Sequence, residues 1–479
     1  SGRVNTMADA QPPKRSRQWW ADDQGQARLA VVEADDNQSV SVQWRERPGG
    51  DWQPLFSRPV VRPGEDLLRV QALGPDGRVY LVMVQPGDAD GTSALYRVDA
   101  TTQQPEAQPV LVLRGFDFHG RLIFDAAAKR LLGVRYLADT WSTAWLDADM
   151  QALQSGVDNK LPGLVNLIDG AECGCTPHLI VTSFSDVQPP LYWLLDRRNA
   201  ELSPLGRARP RIDARRMARR ELTRIAARDG LGLPVYLTRP AGTGPWPTVV
   251  LAHGGPWVRG VELSWSAQAQ FLASRGYLVV EPEFRGSAGY GQRLHAAGFK
   301  QWGLKMQDDL ADAARWAIAQ GLADARRVAI MGTSYGGYAA LMGLVRDGGL
   351  YRCGIAQAAV SDLDLLFSLD ESDTPNAVLR DGLPRLVGDR VADAEQFKAT
   401  SPLRQAERIQ APLLLAHGGK DLRVPLAHAT RLRDALAKTN QQVEWLLYAD
   451  EGHGLLKPEN RYDFHGKVEA FLARHMPAS

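Results

Sequence analysis

The run Gly332-Thr333-Ser334-Tyr335-Gly336-Gly337 follows the apolar segment RVAIM and precedes YAALMGLV, which reads as a helix. A serine in G-x-S-x-G between a strand and a helix sits in a strained turn that exposes its hydroxyl. The flanking glycines let strand and helix pack closely, and the helix N-terminus puts positive partial charge beside the hydroxyl. A serine hydroxyl is a poor nucleophile at neutral pH and needs a base. An acid and then a histidine should follow along the chain, each on a loop after a later strand. Asp421 lies in His417-Gly-Gly-Lys-Asp-Leu-Arg-Val-Pro425, just past LLLAH, and His453 lies in Asp450-Glu-Gly-His-Gly454, just past VEWLLYAD. In this reading His453 takes the Ser334 proton during attack and returns it to the leaving group. Asp421 fixes the imidazole tautomer and stabilises the imidazolium. Two plainer alternatives stay open: His453 as a surface-loop histidine, and Asp362, after the strand ending at Val360, as the acid.

A tetrahedral intermediate needs donors aimed at its oxygen. One is the backbone N–H of Tyr335, the residue after the nucleophile. The other is the N–H of Gly254 or Gly255 in His253-Gly-Gly-Pro256, which follows the strand TVVLA. His253 as a second general base is the alternative there. Tyr335, Tyr338, Tyr290 and Val424 are candidate walls of the substrate pocket.

The elements that must hold these residues fall into two grammars. From 211 to 479, strands alternate with helices, which predicts a mostly parallel, doubly wound sheet of the α/β-hydrolase class. A hairpin turning at Asp229-Gly230 opens it. Buried strands follow at 248–252, 277–281, 328–331, 354–360, 413–416 and 443–448, and an amphipathic helix spans 306–318. Residues 1–210 read instead as an all-β domain. Apolar strands at 29–32, 79–82, 131–134 and 179–181 are each followed by an aromatic strand, at 42–44, 95–97, 144–146 and 191–193, and Asp99, Asp147 and Asp196 follow three of these. A period of about 50 residues suits blades of four strands, hence a small or partial β-propeller. An irregular β-sandwich is the alternative. The arginine-crowded run 207–220 reads as a solvated linker or helix face.

At 479 residues the chain exceeds one ordinary core, and a formal net charge of +1 offers no attraction to nucleic acid or an anionic membrane. Three cysteines make no disulfide framework. Cys173-Gly-Cys175 could be a metal pair but has no second pair, so neither metal nor cofactor is expected. No apolar run reaches the roughly 20 residues that cross a bilayer. The N-terminus lacks the apolar core of a secretory signal, and Ser1-Gly2 reads as a cloning or cleavage scar. The expectation is a soluble protein, with cytoplasm and periplasm both open.

HGGP at 253–256, EFRGSAGYG at 283–291, GTSYGGYAAL at 332–341, HGGKDLRVP at 417–425 and DEGHG at 450–454 together resemble the prolyl oligopeptidase family of serine peptidases, in particular its acylaminoacyl-peptidase and dipeptidyl-aminopeptidase-like branch. The resemblance implies a peptidase acting on short peptides, with Ser334, Asp421 and His453 as triad, a propeller restricting entry, and association into oligomers. The family usually has Asn where this chain has Glu283. That carboxylate could bind a substrate's free N-terminus or pair with Arg285. A carboxylesterase using the same triad and a non-catalytic binding protein on a hydrolase scaffold are the competing functions. A fluorophosphonate is expected to label the folded wild type and not Ser334→Ala, which should lose turnover by many orders of magnitude with its circular dichroism unchanged. A folded wild type that resists the reagent makes the binding-protein reading the leading one.

Overall fold

The computed structural model describes residues 11–477 except 23, 35–38, 48, 60–67, 100–101, 103, 174–175, 368–371 and 375–377. The chain divides into two compact units: Ser1–Ser185 with Pro189–Ile212 and Gly289–Gln292, and Asp186–Gln188 with Asp213–Ala288 and Arg293–Ser479.

The first unit is four antiparallel sheets, each built from strands consecutive in the chain. The apolar and aromatic segments of the repeat are the second and third strands of each sheet, paired as hairpins. Leu29 faces Trp44, Leu81 faces Tyr96, Val134 faces Ala144 and Val181 faces Trp193 across the ladder. The recurring aspartates share one local task. Asp99, Asp147 and Asp196 each accept a backbone N–H just after the third strand, from Thr102, Met150 and Arg198 respectively. Such Asx contacts end a strand by giving the backbone a partner outside the ladder.

Two of the blade-like sheets depart from the expected four strands. Among the described residues, the sheets beginning at Arg69 and at Gly120 have three strands each. The third sheet is followed by a helix, Ala148–Lys160, capped by Asp147, an addition to the β-sheets of this domain. Met150, Leu153, Val157 and Leu161 fall on one face of that helix and pack with Ile123, Leu132 and Ile168. Their spacing of three and four residues was the helical signal in a segment otherwise polar. Cys175 and the Cys173 side chain lie outside the described residues. Among the described residues no cluster of three His, Cys, Asp or Glu could hold a metal ion, and no helix is long and apolar enough to cross a membrane.

The second unit is built on one eight-stranded sheet. Its strands are β1 (Arg220–Ala226), β2 (Gly232–Thr238), β3 (Trp246–Ala252), β4 (Leu278–Pro282), β5 (Ala323–Thr333), β6 (Cys353–Gln357), β7 (Leu413–Gly418) and β8 (Val443–Tyr448). Their order across the sheet is β1-β2-β4-β3-β5-β6-β7-β8. β2 pairs antiparallel with β1 and β4, and every later pairing is parallel. Successive side chains of a strand point to opposite faces, and both faces here are covered. Val250, Val328 and Ile330 join the core under the helices Lys305–Ala319 and Tyr335–Arg346. Val249, Leu251, Ala329 and Met331 join the core under Ala267–Ser274 and Pro458–His475. That is why these strands read as unbroken apolar runs.

Two local expectations need correction. β6 stops at Gln357 and not at Val360, because Ala358 takes φ +46° and turns the chain out of the sheet. The arginine run ends inside the fold as well. Arg220 opens β1 and is buried, donating to Glu281 Oε2 at 2.5 Å and to the Ser264 carbonyl at 2.7 Å. Burial pushes the Glu281 carboxyl up, and Arg220 opposes that shift. Arg220→Met should leave the carboxylate buried without its counter-charge and lower stability by about 3–5 kcal/mol. Adding Glu281→Leu should restore much of it, and urea denaturation of the single and double variants measures both.

Candidate active site

Ser334 stands between β5 and the helix Tyr335–Arg346 at φ 62°, ψ −121°. This positive-φ conformation is costly for a residue with a Cβ and is held here by its surroundings. The Ser334 N–H donates to the Gln357 carbonyl (3.0 Å), and its own carbonyl accepts from the Tyr338 N–H (3.0 Å). Strand and helix backbones meet so closely that a Cβ on Gly336 would lie 2.0 Å from the Ala252 oxygen. One on Gly332 would lie 2.3 Å from the Gly336 carbonyl carbon. The elbow therefore needs glycine at both positions for contact distance.

Asp421 and His453 come together at the ends of β7 and β8. His453 Nδ1 donates to Asp421 Oδ2 at 2.8 Å. The other carboxylate oxygen, Oδ1, accepts the N–H groups of Arg423 and Val424, both at 2.9 Å. A carboxylate accepts only, so the proton of neutral His453 is on Nδ1 and Nε2 is left with a lone pair. Among the described residues no hydrogen bond joins Nε2 to Ser334 Oγ. In free hydrolases such contacts are commonly long and tighten when substrate binds. The two loops are locked backbone to backbone: Gly419 N–H donates to Tyr448 O and Lys420 N–H to Glu451 O, each at 2.8 Å. A Cβ on Gly418 would stand 2.0 Å from the Gly452 oxygen, so the glycines of HGGKD are spacers between these loops. Glu451 clamps the far side of the histidine loop, accepting from Asn460 Nδ2 and the N–H groups of Leu456 and Lys457. Those donors hold its carboxyl below the usual range.

The rival acid is committed elsewhere. Asp362 accepts from Arg404 Nε at 3.2 Å and from the Asp364 N–H at 2.8 Å. His417 lies behind Asp421, with Nε2 donating to the Val424 carbonyl at 2.8 Å, and burial pushes its imidazole below the ordinary value.

Gly254 packs against Ser334, for a Cβ there would sit 3.2 Å from the Thr333 oxygen and 3.5 Å from Ser334 Cβ. Gly255, Ser334 and Tyr335 line one cavity of roughly 240 Å³. Its other walls are chiefly apolar, with Trp257, Trp302, Val360, Leu365 and Val424 prominent. The charged residue among them, Arg423, is paired with Asp373 at 2.6 Å. Only Tyr335 and Val424 of the expected pocket residues lie there. Tyr338 is wholly buried, donating its hydroxyl to the Thr400 carbonyl at 2.8 Å. Tyr290 is buried in the first unit beside Phe116. Trp257 and Trp302 were missed, although Trp257 directly follows HGGP in the sequence.

Glu283 and Arg285 are not partners. Arg285 is saturated by Asp309 (2.7 Å) and Asp229 (2.9 Å). Glu283 is fully buried and accepts the N–H groups of Val261 (2.7 Å) and Gly260 (3.1 Å). Both residues serve the framework, and neither lines the cavity.

A model described as the prolyl oligopeptidase family matches residues 263–479. Dipeptidyl aminopeptidase BIII of Pseudoxanthomonas mexicana is 32% identical over 474 residues, covering 94% of this chain and 66% of that protein. Dipeptidyl peptidase family member 6 of Caenorhabditis elegans is 33% identical over 350 residues, covering 67% of this chain and 46% of that one. The chain thus spans about half to two thirds of the length of these relatives. A crystal structure of puromycin hydrolase shares the fold, with a TM-score of 0.70 at 21% identity over 95% of this chain and 72% of that one. Asp421→Asn is expected to lower kcat by about 10⁴ by releasing the wrong histidine tautomer. Asp362→Asn should stay within a few-fold of wild type, and steady-state kinetics on any turned-over ester or anilide separates the two.

Proposed function

Because the chain belongs to the prolyl oligopeptidase family of serine peptidases, we propose that it hydrolyses short peptides through an acyl-enzyme on Ser334. The observation that carries this is the Asp421–His453 hydrogen bond, on loops beyond the strand ends, in the same sheet that presents Ser334 in a strained elbow. His453 Nε2 is then the base that takes the Ser334 proton and the acid that returns it to the leaving amine. The N–H groups of Tyr335 and Gly255 receive the oxyanion. Tyr335 opens a helix, so its N–H has no intrahelical acceptor. The Gly255 N–H donates to no other group among the described residues.

The cavity beside Ser334 takes the side chain on the acyl side of the scissile bond. At roughly 240 Å³ it is smaller than a typical small-molecule site and suits one side chain. Its indole, phenol and aliphatic walls favour a bulky apolar one. The unit released is a short N-terminal one, aminoacyl or acyl-aminoacyl as the sequence motifs imply, or a dipeptide as the relatives' names suggest.

A panel of free and N-acetylated aminoacyl and dipeptidyl anilides, plus a short-chain ester, tests this reading in wild type and Ser334→Ala. Anilides with Phe or Leu before the scissile bond should exceed those with Asp or Lys by at least about 100-fold in kcat/KM, since the latter would bury an unpaired charge. Turnover confined to the ester would assign an esterase. Equal rates for Asp and Phe would overturn the pocket assignment.

A further inference from the structure

His453 is not the only histidine at the site. His253 opens the segment that carries Gly254 and Gly255, and its side chain is 8% exposed. The ring is stacked on Phe284, with centroids 4.3 Å apart and planes 12° from parallel. Its other face is covered by Gly260, where a Cβ would stand 2.1 Å from His253 Cγ. Both ring nitrogens are engaged. Nδ1 is 2.7 Å from the Gly254 carbonyl oxygen, which can only accept, so Nδ1 carries a proton. Nε2 is 2.9 Å from Ser287 Oγ and 3.3 Å from Glu283 Oε2. Glu283 also accepts the N–H groups of Gly260 and Val261. Across the loop from His253 to Val261, Ser287 thus donates to the ring at one end and the buried Glu283 carboxylate accepts two backbone N–H groups at the other.

The Gly254–Gly255 peptide is trans, so its C=O and N–H point in opposite directions. Holding the Gly254 oxygen on the His253 side aims the Gly255 N–H the other way. Two successive glycines leave this peptide little intrinsic preference among orientations, so an external hold is needed if its N–H is to be aimed before substrate arrives. We propose that His253 is the positioning residue of the oxyanion-binding peptide, with the Ser287 hydroxyl holding its ring and Glu283 holding the far end of the loop. This rests on the reading of Gly255 N–H as an oxyanion donor, and it gives the buried Glu283 a function in place of substrate binding.

The test compares wild type, His253→Phe and His253→Asn on a cleaved anilide, with a peptide aldehyde as mimic of the tetrahedral intermediate. Phenylalanine keeps the ring between Phe284 and Gly260 but has no donor; asparagine can place an N–H near the position of Nδ1. Loss of a whole oxyanion donor costs about 10²–10³ in kcat. Misaiming one through His253→Phe should cost about 10–100-fold, with KM within about two-fold and aldehyde affinity weakened by a similar factor. His253→Asn should recover most of both. A folded His253→Phe with wild-type kcat and aldehyde affinity overturns the proposal, as does a variant pair that loses thermal stability and KM together without rescue by asparagine. Wild type inert toward every anilide and ester would remove the hydrolase reading itself. An active wild type with an unaffected His253→Phe removes only this inference.

Discussion

Where β3, β5 and the helix after Ser334 meet, there is no room for a side chain. The Ala252 carbonyl lies 2.0 Å from where a Gly336 Cβ would be. That contact between backbones forces the elbow, because the chain must reverse from strand to helix within one residue. The residue that does so, Ser334, takes a positive φ that projects its side chain away from both elements. The same closeness brings the end of β3 against Ser334, so Gly254 and Gly255 arrive beside it as neighbours.

Around that point the polar groups are held by donors and acceptors already in place. Asp421 has one oxygen filled by two backbone N–H groups and the other by His453. A carboxylate bonded in this way does not turn or reorganise as charge develops on the imidazole, which is the condition for electrostatic catalysis. Glu283 and His253 hold the Gly254–Gly255 segment much as Asp421 holds His453. In each case a buried carboxylate accepts two backbone N–H groups from a loop and lies beside a histidine. The two loops differ in what the histidine has left: among the described residues His453 has no hydrogen bond at Nε2, whereas His253 is occupied at both nitrogens.

The first unit shows how a repeat survives variation in its outer parts. The apolar–aromatic hairpin recurs in all four sheets and the aspartate after three of them, while among the described residues a fourth strand is seen in two sheets and not in the other two. Asp147 illustrates the economy of this. The side chain that elsewhere ends a strand here caps the helix Ala148–Lys160, since accepting a backbone N–H two or three residues on serves a turn and a helix start alike.

Much of the site was legible from the chain because its geometry is local. G-x-S-x-G, HGG and D-E-G-H-G mark places where a strand ends and the backbone must turn tightly, and such turns restrict residue type within a few positions. The order of strands was readable for a similar reason: strands covered on both faces are apolar throughout, and their spacing leaves room only for crossover helices. Residues 283–290 show where that reading stops. Glu283, Arg285 and Tyr290 are close in sequence and were expected near substrate. Yet Glu283 is bound to a loop 22 residues away, Arg285 to Asp229 and Asp309, and Tyr290 lies in the other unit. Partners of buried charges are chosen by which backbones fold past one another, and no local pattern encodes that. The choice between Asp421 and Asp362 likewise waited for the tertiary structure, since both follow strands and only the crossing of the β7 and β8 loops brings one of them to His453.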